Sequence, residues 1–530
     1  MKRFLFAALF LAALAATAWG GEKKSLLIMF DGLRADALYS TPTPNIDSII
    51  DGSWAPGYHT SWTYQAHTNL DADPSSATTH VAIITGVTAE KNRCFNNGQT
   101  KDALWEEYPS YLSRLRAADP SLVTVWLYDW GENADIKTDA TFFSEPPGDD
   151  FAGDMRNIDR TIAFLNGTFD EPADSHGQNW IKGTDPDAIG LYLSSLDLYG
   201  HRDCFSAFDP EYCRRMEMYD ARVGDLLAAI KARPSFDRED WMIVIVADHG
   251  GYRTGHGIEL CENCYTIPLI VTSKHTAAGR MLGQPQNCDC AAYLLDHHLG
   301  AIPAELDGKI EEVTTDPAPD PDRGKVLEMS FDRADDPDAE NDPSSATERY
   351  IPGVEGEARY FPGSICLGDL PELATDRGLT FSFWFRTGHE QQGDPPLLSN
   401  KDWTTGRNPG IALVTRPGFL SLNIADGQGH RDDIGPLDYY GPGWWFAAIT
   451  VLPGQNAVLY LGNQEGRLAF VSDSIAEMET LATNLPWYVG QDGTNNCECV
   501  VSSFYIDRLN GWNRALSTDE VKAVFLNQRK

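Results

Sequence analysis

The chain has 530 residues and carries 77 Asp and Glu against 42 Lys and Arg, a net charge of −35. A chain this long divides into two or more domains, and one this acidic lacks the basic face of a nucleic-acid scaffold protein. Beyond the N-terminal leader no segment is apolar for long enough to span a bilayer.

The leader, MKRFLFAALFLAALAATAWG (1–20), joins a basic start to an apolar stretch and small residues, the pattern of a cleaved secretory signal. A secreted or periplasmic protein is expected, its acidity serving solubility. In such compartments the ten cysteines are expected to pair. Cys204 and Cys213 flank a short loop they could clip. Cys261, Cys264, Cys288 and Cys290 spell C-x2-C…C-x-C, which reads as disulfides in an exported chain, with a structural zinc knot as the alternative.

From about 24 to 312, apolar runs alternate with helical patterns, which predicts a mostly parallel sheet sandwiched by helices, an α/β domain over 21–312. KSLLIMF leads to Asp31, and DPSSATTHVAIITG (73–86) opens a helix behind a cluster of hydroxyls. YPSYLSRLRAADP (108–120) reads as a helix feeding the strand SLVTVWLYDW. Residues 145–185 form a polar insertion expected to shape a pocket. IGLYLSSLDLYGH places Asp197 at a strand end, with His201 on the loop leaving it. RVGDLLAAIKARP (222–234) is an amphipathic helix before WMIVIVADHG, which ends on Asp248 and His249; TGHG then supplies His256.

VTTDPAPDPDRG (313–324) reads as a linker. Beyond it, over 325–530, the runs at 378–387, 443–452, 456–463 and 501–514 are short, aromatic and alternating, with turn residues between them, as in an all-β sandwich.

Three aspartates that follow buried strands can meet beyond the carboxyl ends of a sheet, where α/β proteins bind ligands. With His201, His249 and His256 beside them they form a mixed Asp/His set, which suits zinc better than magnesium or calcium. Six ligands exceed one tetrahedral ion and suit two, an arrangement that serves in-line displacement at phosphorus. Ser75, Ser76, Thr78 and Thr79 each offer a hydroxyl at a helix N-terminus, where negative charge is favoured; their spacing does not choose among them, and N-capping is the ordinary role of such residues.

DGLRAD, TPNIDSII, the hydroxyl cluster before ITG, DLYGH, ADHGG and GHG occur in an order that resembles the alkaline phosphatase superfamily, specifically its type I phosphodiesterase/nucleotide pyrophosphatase branch, over about 24–275. The resemblance implies a two-zinc phosphodiesterase with Ser76 as nucleophile, ten residues before Gly86. It implies one zinc on Asp31, Ser76, Asp248 and His249, and the other on Asp197, His201 and His256. Asn97 of CFNNG, beside Asn96, matches the asparagine that contacts the phosphoryl oxygen. The second residue after the nucleophile is Thr78, where many nucleotide pyrophosphatases have proline, so nucleotide specificity does not follow. No x-Pro-x-Arg follows Ser76, so no formylglycine nucleophile is expected.

TFSFWFR, WWFAAITV, VLYLGN and IDRLNGWNRALSTDEVKAVF resemble the laminin-G/concanavalin A-like jelly-roll family over 325–530. That implies a module for a glycan or surface polymer, often with Ca2+. The expected substrate is a small phosphoester or nucleotide. A phosphomonoesterase of the same superfamily is the alternative, and a glycan-binding protein with a relic catalytic domain is the reading from another class.

Overall fold

The structure is a computed structural model that describes residues 21–529 apart from 69–71, 145–149, 172–182, 184, 258–261, 316–317, 336–349, 362–363, 374–376, 388–390 and 502–503. The N-terminal leader, part of the polar insertion and Cys261 lie outside the described residues.

The first domain is built on a nine-stranded sheet. Five strands run parallel in the order β4 (Thr141–Ser144), β3 (Thr124–Tyr128), β5 (Ala188–Leu193), β1 (Glu22–Phe30) and β6 (Glu239–Ala247). The sheet continues through β7 (Thr266–Ser273), antiparallel to β6, then β2 (His59–His67), β8 (Gly279–Met281) and β9 (Val313–Thr314). All nine residues of β6 are buried, as expected of a strand covered on both faces, whose side chains must all be apolar or paired. The mostly parallel α/β architecture expected from the sequence is present.

Helices at Tyr111–Ala118 and Pro210–Lys231 occupy the two stretches read as helices. The polar insertion contains a 16-residue helix, Asp150–Leu165. Asp197 departs from expectation: β5 ends at Leu193, and Asp197 and His201 lie on the helix Ser195–Arg202. The i,i+4 spacing puts both on one face of that helix.

Residues 313–324 are not a free tether. Val313 and Thr314 pair with β8, the Trp512 indole donates to Pro321 O at 2.6 Å, and the Arg514 guanidinium donates to Arg323 O at 2.8 Å.

The second domain consists chiefly of an eight-stranded and a six-stranded antiparallel sheet. Phe381 and Trp487, one from each sheet, pack with ring centroids 4.7 Å apart. The closing helix Thr518–Gln528 starts with a capping box between Ser517 and Glu520 and buries Phe525 against Trp384 and Phe446.

The two domains share contacts close to the strand ends. Asp36 accepts a hydrogen bond from Phe470 N at 3.3 Å, Tyr39 donates to Asp519 at 2.6 Å, and Phe208 packs edge-on against Trp445.

The cysteines correct an expectation. Cys204 and Cys213 are free thiols: the Cys213 thiol is turned inward toward Ala207 O at 3.4 Å, while Cys204 is half-buried. Cys264, Cys288 and Cys290 are buried, and Cys288 and Cys290 are free thiols. The disulfide among the described residues joins Cys497 and Cys499.

Candidate metal centre

The chain leaves β1 and turns at Asp31–Gly32. Gly32 has φ +68°, and a Cβ there would stand 2.7 Å from the Asp197 backbone, so only glycine allows the approach. Its N–H donates to Asp248 Oδ1 at 2.9 Å. The neighbouring strands β1 and β6 thus deliver Asp31 and Asp248 to one point, and the helix after β5 brings Asp197 to its side.

Ser76 is the first residue of the helix Ser76–Thr85, and Ser75 is its N-cap but makes no side-chain cap. Instead Ser75 Oγ pairs with Thr78 Oγ1 at 2.9 Å, and Thr79 Oγ1 donates to the carbonyls of Ser75 and Ser76. Of the four hydroxyls in the cluster, that of Ser76 points at the carboxylates. It lies 3.2 Å from His249 Nε2 and 3.5 Å from Asp31 Oδ1.

Three overlapping groups of potential ligands lie here: Asp197, His201 and His256; Asp31, Asp197 and His249; and Asp31, His80 and Asp248. His249 Nε2 stands 3.3 Å from Asp31 Oδ1 and 3.3 Å from Asp248 Oδ2. His201 and His256 present Nε2 to Asp197 Oδ1 at 3.4 and 3.6 Å. Atoms bound to one tetrahedral zinc at ~2.0–2.1 Å stand about 3.3 Å from one another. The contacts of His249 Nε2 to Asp31, Asp248 and Ser76, and those of His201 and His256 to Asp197, are of that size.

The histidine tautomers sharpen this. His249 Nδ1 faces Gly250 O at 2.7 Å, His201 Nδ1 faces Thr254 O at 2.9 Å, and His256 Nδ1 faces Pro74 O at 2.9 Å. A carbonyl only accepts, so each Nδ1 carries a hydrogen, and in its neutral form each ring turns the lone pair of Nε2 toward carboxylate oxygens. Lone pair facing carboxylate is repulsive unless a cation lies between or the ring is protonated. Protonation is opposed: burial lowers the His249 pKa and brings that of His256 down to about 3. The carboxylates make the same demand. Burial and the charge of Asp248 push Asp31 and Asp197 well up. Asp248 resists its own burial and is held at about 2 by His249 and His80. Asp197 Oδ1 is buried without a hydrogen-bond partner among the described residues. A pair of divalent cations fits this donor set.

Asn97 accepts a hydrogen bond from Ala77 N at 2.9 Å through Oδ1. It therefore sits beside Ser76.

Several supporting residues were not singled out from the sequence. Tyr192 donates to Asp31 Oδ2 from the adjacent β5. His80, one helical turn after Ser76, places Nε2 3.1 Å from Asp248 Oδ2 and Nδ1 2.9 Å from the Asn133 amide. The i,i+4 spacing from Ser76 was its available signal. Arg34 is buried and bonds to Asp36, to Phe205 O and Gly251 O, and to Asn263 Oδ1, joining the loop after β1 to the segment that carries His249.

This assembly defines an α/β protein with candidate metal-binding Asp/His clusters and a serine hydroxyl at the carboxyl ends of its parallel strands. Residues 25–340 match the family model of type I phosphodiesterase/nucleotide pyrophosphatase, and the chain belongs to that family. No curated protein sequence matches it.

Among solved structures, an inactive variant of murine ectonucleotide pyrophosphatase/phosphodiesterase 5 in complex with AMP is 14% identical over 55% of this chain and 100% of its own, with a TM-score of 0.37. The 2-O GAG sulfatase BT1596 is 12% identical, with 79% and 85% covered and a TM-score of 0.39. The botulinum neurotoxin serotype D binding domain is 17% identical over 31% of this chain, with a TM-score of 0.25. The chain spans 40% of that neurotoxin domain's length, and 58% of the murine enzyme's in a second structure.

Proposed function

We propose that the chain is an exported, zinc-dependent phosphodiesterase that uses two Zn2+ and a serine nucleophile on a small phosphodiester or nucleotide. The observation that carries this reading is the set of three histidines whose acceptor nitrogens face buried carboxylates at tetrahedral ligand spacing, with Ser76 Oγ 3.2 Å from one of them. Family membership supports phosphoester hydrolysis.

Asp31, Ser76, Asp248 and His249 would hold one ion, and Asp197, His201 and His256 the other. Ions bound there would lower the pKa of the serine hydroxyl and neutralise charge on the phosphoryl group and leaving oxygen. Ser76 Oγ, deprotonated, attacks phosphorus; the bond to the leaving alcohol breaks and a phosphoseryl ester remains. Water then attacks that ester, releasing the phosphoryl group and restoring the Ser76 hydroxyl. The start of the Ser76–Thr85 helix stabilises negative charge through both steps. Asn97 donates to a phosphoryl oxygen, and its bond from Ala77 N fixes the amide in that orientation.

A panel of p-nitrophenyl phosphate, its bis ester and the p-nitrophenyl ester of thymidine monophosphate, each with and without added zinc, tests the proposal. Zinc-dependent cleavage of the diesters is expected. Preference for the monoester would establish the phosphomonoesterase alternative, and zinc-loaded protein inert on all three would leave the relic reading standing.

The sandwich domain has two features that favour ligands. Asp507 accepts from Val354 N and Glu355 N through Oδ2, yet its buried Oδ1 lacks a partner among the described residues, which favours Ca2+ beside it. A cleft of about 700 Å³ between the domains, lined by Trp62, Tyr64, Arg280 and Asp473, favours a glycan or surface polymer. A calcium-dependent rise in Tm that Asp507→Asn removes, and a glycan array on the full chain, test the two.

A further inference from the structure

The loop carrying His249 and His256 is held by the other domain. Tyr252 donates its hydroxyl to Asp438 Oδ1 at 2.8 Å, and Arg253 Nε donates to Asp438 Oδ2 at 3.0 Å. A few residues further along, Asn263 Nδ2 donates to Pro436 O at 2.7 Å, and Glu262 accepts from Gly435 N at 3.0 Å. Asp438 and Pro436 both belong to the sandwich strand Arg431–Asp438. The metal loop is therefore gripped on both sides by one strand of the second domain.

The grip lies next to the ligands. Arg253 O accepts from Phe205 N at 2.6 Å, and Thr254 O is the carbonyl that fixes His201 Nδ1. His256 follows two residues later. Arg253 itself has φ +53°, a left-handed conformation that is unfavourable for a non-glycine residue and persists only where surrounding contacts impose it. An isolated exposed ion pair would be too weak to impose it. The Asp438 side chain, however, is 9% exposed and accepts from Tyr252 and Arg253 together, with Tyr440 of its own domain as a third donor, so it ties both loop residues to one largely buried carboxylate. His201 depends most on this arrangement, because its side chain is 41% exposed and its ring neighbours, Phe205 and His256, are themselves tied to the same loop or lie on it.

We infer that Asp438 of the sandwich domain is a positioning residue for the half-site formed by Asp197, His201 and His256. The second domain then belongs to the hydrolase's metal centre as well as to any surface it binds. The inference rests on the two-zinc reading for its first measurement and is independent of it for the second.

The first measurement is zinc release from the full-length loaded chain to a chelator. Asp438→Ala is expected to release one of the two ions at least tenfold faster and leave the other unchanged, with an unaltered far-UV spectrum. Asp438→Asn, which keeps one acceptor oxygen, should fall between. Equal acceleration of both ions, or none, overturns the inference. The second measurement is amide hydrogen exchange in the metal-free chain, where Asp438→Ala should speed exchange at Tyr252–His256 at least tenfold while the amides of β6 keep their rates. Unchanged exchange at Tyr252–His256 overturns the inference. If wild-type protein retains no zinc, the two-zinc reading fails, and the exchange result alone decides the role of Asp438.

Discussion

Asp154 caps a helix to which it does not belong. From Asp150–Leu165 its carboxylate accepts from Ser194 N at 2.9 Å, and from Ser195 N and Oγ at 3.0 and 2.7 Å. These donors open the helix that carries Asp197 and His201, and a carboxylate at that end also complements the helix dipole. Asp154→Ala leaves two buried N–H groups unpaired and is predicted to cost about 2–4 kcal/mol. Urea denaturation of the metal-free chain reads this directly, and a loss below ~1 kcal/mol would contradict the capping role.

Ser76→Ala is predicted to abolish phosphodiester turnover while both zinc ions are retained. Four of the six Asp and His ligands make no hydrogen bond to Ser76 Oγ, and the two that do, Asp31 and His249, are also held by Tyr192 and by Gly250 O. Metal analysis beside a kinetic assay checks it; appreciable activity in the variant would remove Ser76 from its role.

His80 orients Asp248 from behind. Groups that hold metal-ligating carboxylates typically account for 10–100-fold in affinity or activity, and His80→Ala is predicted to fall in that range, with kcat reduced and the fold intact. His80→Gln retains a donor and should recover part of the loss. Equal defects in the two variants would point to packing against Trp130 and Tyr192 instead.

Lys401 is a buried amine that donates to Gly406 O and Asn423 Oδ1, and burial lowers its pKa from 10.5 to about 7. Between these two values the unfolded chain binds a proton that the folded chain does not, so stability rises with pH across that window. Thermal melts of wild type and Lys401→Met at pH 6.5, 8 and 9.5 test this: the wild-type Tm should gain on the variant's as pH rises. A falling or flat difference would mean the amine is charged in the fold.

The sequence made the centre legible because each ligand follows a run of strongly patterned residues. KSLLIMF and WMIVIVA are recognisable as buried strands, and the residue after such a strand has one place to go. Asp197 was less legible: LSSLDLYGH has no sharp boundary, and its helix begins where Asp154, some forty residues away, supplies the cap. Tyr192 looked like any strand aromatic, since nothing local tells a phenol that packs from one that donates to Asp31. The cysteines misled because the compartment rule speaks of pairing in general, whereas Cys213 sits on a helix face that points into the core. The bond between Asp438 and Arg253 crosses 185 residues, and no periodicity reaches that far.

The contact between Tyr39 and Asp519 spans 480 residues. During synthesis, the helix that follows Asp31 must wait for nearly the whole chain before its partner exists, and contacts of such separation form late and slowly. Until then Ala35 and Tyr39, which join a core with Trp384 and Phe525, present an apolar face to any neighbouring chain. Recombinant versions cut after the first domain would keep that face permanently, so aggregation on expression would reflect a missing folding partner and carry no information about the zinc ligands.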